Sequence, residues 1–331
     1  MSKLTIHDIA KRVGVSTGTV SRALNGRFGV SEATRERVLA VVNDLGYVPD
    51  PGARQLAKGS RTVIGITRFS ETSLRNPYYT LLLDLIQEAL VGAGYAVRIL
   101  TDTNDVTRPG VAGVIVPGVY LADDRLEELR VHNMPFVVIG EMPAEYTWVE
   151  IDNRSGMRQI VEHLIAKGHS RIAHMTGAPI GQTAQLRLDT QRDTMNAANL
   201  ELPEELILDG QFTQLGAYRA MQRALKQKLE FSAVACASDE MALGVLAALE
   251  DAGLRVPNDI GVTGFDDLPL DDDMKHVPLT TVHQPMRLIG HTAARLMLEL
   301  LEGATPRGVL LPVNLVTRDS SAAGVRQPQV A

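Results

Sequence analysis

The segment VSTGTVSRALNG, residues 15–26, gathers small hydroxyl side chains around one arginine. On a helical period, Thr17, Ser21 and Arg22 fall on one side of the segment, whereas Val20 and Leu24 fall on the other. An arginine can donate two parallel hydrogen bonds to guanine O6 and N7, a contact worth ~1–3 kcal/mol of base discrimination. Small neighbours let a helix approach base edges in a major groove about 12 Å wide. The pattern therefore predicts a helix that reads DNA bases.

Three short helices are needed to hold this segment in place. Thr5 can cap a first helix, which Gly14 ends. Ser16 can cap a second helix that runs to Asn25, and Ser31 can cap a third. Two short helices joined by a glycine-containing turn and braced by a third predict a helix-turn-helix. The alternative is an ordinary three-helix packing unit with a polar outer face.

The charge distribution favours the DNA-binding interpretation. Residues 1–60 carry nine lysines and arginines against five acids, while the rest of the chain carries 24 against 34. Residues 1–60, called the head from here on, are basic although the whole chain has a net charge of -6. This contrast indicates a polyanionic partner that binds near the head.

A proline-bounded segment, YVPDPGARQLAKGS, ends the head. Asp50 could cap a helix that begins at Pro51 and runs to about Lys58. A helix this short needs support from a partner chain or from DNA, because fewer than about 12 residues do not hold a helix in water. Leu56 would then be an exposed apolar residue that can insert between minor-groove base steps. A plain interdomain linker is the alternative.

From residue 60 onward, β-rich runs alternate with amphipathic helical segments. The predicted strands are residues 62–67, 96–100, 113–117, 136–139, 148–151, 171–175, 233–237 and 260–265. This alternation predicts an α/β core of two doubly wound lobes, each with a parallel sheet and helices on both faces.

Polar or aromatic residues follow most of these strands, where such folds bind ligands. They are Tyr78, Tyr79, Asp152, Arg187, Ser238, Asp239 and Asp266. Single members have structural alternatives, since Asp239 can cap a helix and Asp152 can start a turn. Their recurrence across both lobes predicts a ligand cleft.

Four motifs, LTIHDIAKRVGVSTGTVSRALNG, LGYVPDPGARQLAKG, GFDD and TTVHQP, resemble those of LacI/GalR-family transcriptional regulators over nearly the whole chain. The resemblance implies a periplasmic-binding-protein-like core and a homodimer on a palindromic operator. It also implies control by a small effector, most often a sugar. No apolar run approaches the length needed to cross a bilayer, so we expect no membrane partner. Two features depart from the family: Asp50 stands where an asparagine is usual, and the connection at 101–113 is short, so we expect it to be irregular.

The resemblance also implies site residues and boundaries. We expect DNA contacts from Thr5, Ser16, Thr17, Gly18, Thr19, Ser21, Arg22, Asn25, Ala53 and Leu56. We expect effector contacts from Tyr78, Tyr79, Asp152, Arg187, Phe212, Ser238, Asp239, Asp266 and Gln284, with core packing as the alternative for Phe212. The expected domains are a helix-turn-helix at 1–46, a hinge at 47–60 and an effector-binding and dimerisation core at 61–331. Within the core, one lobe takes about 61–154 and 286–312, and the other about 155–283 and 313–325.

Other functions stay open at this point. A purine-responsive regulator is the first alternative, because a purine stacks on Phe212 as well as a sugar does. A cytosolic sugar-binding or sugar-metabolising α/β protein is the second. We predict no enzyme activity, no metal and no cofactor, because the sequence carries no phosphate-loop, zinc-protease or clustered Cys/His motif. A single cysteine, Cys236, and the lack of an apolar export segment predict a cytoplasmic, nucleoid-associated protein. A C-terminus without leucine heptads favours a dimer over a tetramer.

Overall fold

The structure is a computed structural model that describes residues 6–24, 30–45, 63–68, 76–101, 110–178, 180–269 and 277–322. The chain divides into two compact units, Met1–Thr62 and Val63–Ala331.

The described residues of the first unit form three helices, α1 (Ile6–Val13), α2 (Thr17–Leu24) and α3 (Glu32–Asp44). Their apolar faces meet in a small cluster formed by Ile9, Ala10, Val13, Val20, Ala23 and Val38. Gly14 has a φ of +77°, a conformation that glycine adopts without strain, and it ends α1. Ser16 Oγ accepts a hydrogen bond from Thr19 N at 3.1 Å, which caps the start of α2. Asn25, the predicted end of this helix, lies outside the described residues.

The second unit contains a six-stranded sheet in which every strand pair is parallel. Its strands are β1 (Val63–Thr67), β2 (Ala96–Leu100), β3 (Val111–Pro117), β4 (Phe136–Ile139), β5 (Trp148–Ile151) and β11 (Gly308–Leu311), in the order β11-β5-β4-β3-β1-β2. The helices α4 (Pro77–Gly92), α5 (Asp124–Val131) and α10 (Met286–Leu301) belong to this part of the unit.

A second, four-stranded parallel sheet follows in the same unit. Its strands are β6 (Ile172–Thr176), β7 (Ile207–Asp209), β8 (Ala233–Cys236) and β9 (Gly261–Thr263), in the order β7-β6-β8-β9. The accompanying helices are α6 (Asn153–Ala166), α7 (Gln182–Ala197), α8 (Gln214–Lys226) and α9 (Asp239–Asp251), with short 3-10 turns at Glu204–Leu206 and Asp319–Ser321. Strands β10 (Thr281–His283) and β12 (Asn314–Val316) form a separate antiparallel pair.

The predicted fold class is confirmed, with corrections at the level of single strands. Strand β3 begins at Val111 rather than at residue 113, and β9 is three residues long rather than six. Strands β7, β10, β11 and β12 were not predicted from the sequence. The irregular connection predicted after β2 falls on residues 102–109, outside the described part of the chain.

Candidate ligand-binding site

A cavity of about 290 Å³ lies where the carboxyl ends of strands from both sheets of the second unit meet. Residues that follow β1 and β3 line it from the first sheet, together with Ile139 at the end of β4 and Glu150 within β5. Residues that follow β6, β7, β8 and β9 line it from the second sheet. Parallel α/β folds place ligand sites at this edge of the sheet because polar groups on the loops converge there.

Arg187 brings a fully buried guanidinium to this cavity from α7. Its Nε donates to Asn153 Oδ1 at 2.9 Å, and its Nη1 donates to the carbonyl oxygen of Ala237 at 2.5 Å. The Cζ atom lies 3.6 Å from the centroid of the Phe265 ring, a cation–π contact. Burial lowers the pKa of Arg187, and the charge of Asp266 opposes that shift. The guanidinium is therefore held in one orientation before any ligand binds.

Asp266 lies beside Arg187 at the end of β9, with 3.7 Å between its Oδ1 and Nη1 of the arginine. Burial raises the pKa of this carboxyl well above its usual value, and the charge of Arg187 opposes the increase. Its φ of +127° is a strained conformation for a residue with a side chain, at a cost of about 1–3 kcal/mol. The strand β10 holds it there, because Asp266 N donates to Val282 O at 2.9 Å and Asp266 O accepts from Gln284 N at 3.2 Å.

Gln284 links Asp266 to the helix that follows the first strand. Its Nε2 donates to Asp266 Oδ1 at 2.6 Å, and its Oε1 accepts from the Tyr78 hydroxyl at 3.3 Å. A continuous series of contacts thus runs from α4 through Tyr78, Gln284, Asp266 and Arg187 to Asn153 at the start of α6. This network fixes the polar side of the cavity through residues that are up to about 200 positions apart in the chain.

Glu150 lines the cavity from the middle of β5, and sequence reasoning missed it. Its Oε1 accepts from Ile151 N at 2.7 Å, and burial raises the pKa of its carboxyl to about 7. A signal was available, because an acid inside the otherwise apolar strand WVEI is unusual for a buried β-strand.

Aromatic rings supply much of the remaining wall. Tyr78 and Tyr79 pack edge to face at 5.6 Å, and Tyr120 and Phe212 line the cavity as well. Phe212 adopts a left-handed φ of +54°, and a side chain at Gly177 would overlap its ring. Phe212 is therefore placed in the cavity wall, half-buried, rather than in the core alone.

Three of the predicted effector residues lie outside the cavity lining. Asp152 accepts from Ser155 N at 2.7 Å and caps α6. Asp239 accepts from Thr281 Oγ1 at 2.5 Å and from Leu268 N at 3.1 Å, and burial raises its pKa to about 6. Gln284 contacts the lining residues Asp266 and Tyr78 but does not line the cavity itself. The other six predicted residues, Tyr78, Tyr79, Arg187, Phe212, Ser238 and Asp266, line the cavity.

Five of the predicted DNA-contacting residues lie in α2, and Ser16 directly precedes it: the five are Thr17, Gly18, Thr19, Ser21 and Arg22. Gly18 is exposed, and Thr17 and Thr19 are half-buried. Ser16 Oγ and Thr19 Oγ1 are 2.9 Å apart, so both hydroxyls are engaged within the helix start. Ser21 and Arg22 belong to α2, but the placement of their side chains lies outside the description. Thr5, Asn25, Ala53 and Leu56 lie outside the described residues altogether.

Two absences concern the described residues only. They contain no group of three or more histidines, cysteines and acids that could hold a metal ion. None of their helices is long and apolar enough to cross a membrane.

Comparisons with known proteins identify the family. Residues 5–50 match the description "Bacterial regulatory proteins, lacI family", and residues 161–321 match "Periplasmic binding protein-like domain". The HTH-type transcriptional regulator CelR of Thermobifida fusca is 32% identical over 96% of this chain and 98% of its own length. The chain belongs to the lacI family. It is a transcriptional regulator rather than an enzyme, as the resemblance of its motifs predicted.

Other members of the lacI family are similar over the same span. The HTH-type transcriptional repressor PurR of Erwinia tasmaniensis is 32% identical over 97% of both chains. A solved structure of a CelR–cellobiose complex aligns with a TM-score of 0.72 at 30% identity, over 96% of this chain and 99% of that one. A lac repressor dimer bound to operator and the anti-inducer ONPF aligns with a TM-score of 0.72 at 29% identity, over 97% of this chain and all of the other.

Proposed function

We propose that this lacI-family regulator is a repressor that binds a palindromic operator as a homodimer and changes its affinity when a sugar enters the cavity. In this proposal residues 1–46 read the operator, residues 47–60 form the hinge and residues 61–331 bind the effector and dimerise. The two lobes of the core are about 61–154 with 286–312 and about 155–283 with 313–325. The protein would act in the cytoplasm, in association with the nucleoid.

The observation that carries the effector proposal is the composition of the cavity. It combines an immobilised guanidinium, Arg187, with carboxyl groups from Asp266 and Glu150 and with aromatic faces from Tyr120 and Phe212. A sugar presents hydroxyl groups around its edge and C–H groups on its faces, and these would pair with the polar groups and the rings respectively. The lac repressor and CelR structures, with their small-molecule partners, support the same proposal.

The regulatory mechanism is a population shift between two arrangements of the lobes. The effector would contact residues from both sheets at once, so it would favour the arrangement in which those residues converge. Only a difference in affinity for the two arrangements can change operator binding, because a ligand that binds both equally shifts nothing.

For the DNA-binding unit, we propose that α2 lies in the major groove and that Arg22, with Thr17 and Gly18, reads bases. The contacts proposed for Thr5, Ser16, Thr19, Ser21 and Asn25 would orient the helix on the duplex. Ala53 and Leu56 would contact the central minor groove.

A purine effector is the second candidate, and one specific observation favours it. Phe212 is half-buried and lines the cavity, where a planar base could stack on its ring. Similarity to PurR repressors agrees with this alternative.

A thermal-shift screen separates these candidates. The full-length protein is heated with cellobiose, other mono- and disaccharides, and purine bases, alone and with a palindromic operator obtained by in vitro selection. A sugar effector should raise the melting temperature by an amount that grows with its concentration, since ligand binding to the folded state stabilises it. A response only to purine bases would replace the sugar proposal. If the in vitro selection yielded no preferred DNA sequence, that result would contradict operator binding.

A further inference from the structure

One loop of the first sheet reaches both the cavity and the second sheet. This closure loop, residues 118–121, follows β3, and its Val119 and Tyr120 line the cavity. The backbone of Tyr120 forms an antiparallel bridge with the facing segment, residues 180–182. Two backbone hydrogen bonds make up this bridge: Leu121 N donates to Ile180 O at 3.0 Å, and Gln182 N donates to Val119 O at 3.1 Å. The closure loop therefore connects the carboxyl edge of one sheet to that of the other.

An ion pair at the start of α5 holds this loop. Arg125 donates from Nε and Nη2 to the two carboxylate oxygens of Asp123, at 2.8 and 2.6 Å. Both side chains are largely buried, with 14% of Arg125 and 3% of Asp123 exposed. The same carboxylate accepts from Tyr120 N at 3.1 Å and caps α5 by accepting from Arg125 N at 3.2 Å. A two-pronged contact of this kind fixes the orientation of both side chains.

The guanidinium of Arg125 has further partners directly after two strands, β1 and β3. Its Nη2 donates to the carbonyl oxygen of Gly118 at 2.7 Å, and its Nη1 donates to that of Arg68 at 2.9 Å. Its Cζ lies 5.1 Å from the centroid of the Tyr120 ring. The Arg125 side chain thus contacts the residues that follow β1 and β3 and the ring of Tyr120, a residue that lines the cavity. Neither Asp123 nor Arg125 lines the cavity, so any effect on a ligand would pass through the loop.

We propose that the Asp123–Arg125 pair is a positioning element for closure of the two lobes. It holds the closure loop in the conformation that pairs with residues 180–182 and that presents Tyr120 to the cavity. Without the pair, the Gly-Val-Tyr-Leu segment would have many backbone conformations, and most of them would not allow the pairing. The role of the pair in holding the closure loop is inferred from the contacts described for Asp123 and Arg125. Only its effect on ligand affinity rests on the proposed effector function.

Hydrogen exchange of the full-length protein without any effector tests this proposal. Leu121 N donates to Ile180 O, and Gln182 N donates to Val119 O, so both amides report directly on the pairing. In Arg125→Ala we expect both amides to exchange about tenfold faster or more, because charged hydrogen bonds that hold the loop are lost. Asp123→Asn retains a helix-capping side chain and should give a smaller increase. The matched control is Arg130→Ala, on the same helix at an exposed position, which should leave both amides unchanged.

A second variant distinguishes the role of the closure-loop backbone from the role of the Tyr120 ring. Tyr120→Ala keeps the backbone pairing and should leave the exchange of Leu121 and Gln182 unchanged. It should weaken binding of cellobiose, or of the purine base that raises the melting temperature most. Arg125→Ala should weaken the same binding and also increase exchange.

Two results would overturn the proposal. One is unchanged exchange at Leu121 and Gln182 in a folded Arg125→Ala protein. The other is an increase spread evenly over the second unit, which would give the pair a general role in stability. Exchange without effector does not depend on what the cavity binds, so a screen without any hit would count against the effector proposal alone.

Discussion

The two compact units carry their proposed functional residues in opposite environments. In the first unit, Gly18 is exposed on a helix of eight residues that a cluster of six buried apolar residues supports. In the second, Arg187 and Asp266 are each only 4% exposed, and partners from distant parts of the chain hold them. A surface for a long polyanion can be small, exposed and locally encoded, because the ligand itself supplies most of the contact area. A cavity for a small ligand must bury polar groups, and their desolvation has to be offset by fixed partners.

The largest expected effect tests whether effector binding at the buried cavity can be lost without loss of operator binding by the first unit. Arg187→Ala should weaken effector binding by about 2–5 kcal/mol, because it removes a charge from a buried, hydrogen-bonded pair. Operator binding without effector should persist. Calorimetry with the best ligand of the screen and a gel-shift assay on the selected operator measure the two properties.

Arg192→Ala is the matched control for this experiment, since Arg192 lies on the same helix with a third of its side chain exposed. It should change neither property. An unchanged effector response in Arg187→Ala would remove Arg187 from the site.

The next effect concerns the cost of burying a carboxyl in the cavity. The pKa of Glu150 is raised from 4.5 to about 7, so the folded state binds a proton that the unfolded state releases over that interval. The free energy of unfolding therefore keeps its full value, as far as Glu150 is concerned, below pH 4.5. It falls as the pH rises from 4.5 to about 7, because the unfolded state loses the proton first. Glu150→Gln should remove this loss and make the protein more stable than the wild type at pH 8, by up to about 3 kcal/mol.

Chemical denaturation at pH 5, 6, 7 and 8 measures this difference, which should grow up to about pH 7 and then stay constant. Glu201→Gln is the control, because Glu201 is exposed. A difference between Glu150→Gln and wild type that did not vary with pH would contradict the raised pKa.

The third prediction addresses base reading in the first unit. Arg22→Lys keeps the charge but loses the two-pronged donor, so specific binding should weaken by ~1–3 kcal/mol while the salt-dependent binding to random DNA persists. Fluorescence anisotropy on operator and random duplexes, at several salt concentrations, measures both. Equal weakening on the two duplexes would argue against base reading by Arg22.

The smallest effect tests how locally the first unit is encoded. Ser16→Ala removes the cap of α2 and should destabilise this helix by about 1 kcal/mol. Hydrogen exchange of the α2 amides should quicken by a factor of about five, with the amides of the second unit unchanged. Ser16→Thr, which can still cap, should restore protection; faster exchange in both units alike would show that the effect is not local.

The fold class and the family were predictable because they depend on local patterns. Caps at Ser16 and Ser31, the glycine at position 14 and the alternation of apolar strands with amphipathic helices all act over short distances. The candidate site was only partly predictable. Polar residues after strands could be expected to converge, since parallel strands share an edge, but their roles could not be assigned. Asp152 and Asp239 do not line the cavity. Their carboxylates instead accept hydrogen bonds from the amide of Ser155 and the hydroxyl of Thr281, respectively.

Glu150 and the Asp123–Arg125 pair show what the linear pattern left out. Glu150 reaches the cavity because β5 lies beside β4 and β11, an arrangement set by a segment some 160 residues later in the chain. Arg125 acts on the ends of β1 and β3, which are adjacent only once the sheet has formed.

The amino-acid sequence by itself determined that the chain has a basic helical head and an α/β body, and which family it resembles. These properties follow from residue spacing and charge, which need no knowledge of distant contacts. Only the tertiary structure decided which polar groups line the cavity, which of them are hydrogen-bonded to neighbouring residues instead, and which carboxyl groups have a raised pKa. These depend on burial and on partners from remote segments, and the free energy of a buried charge is set by its surroundings rather than by its place in the chain.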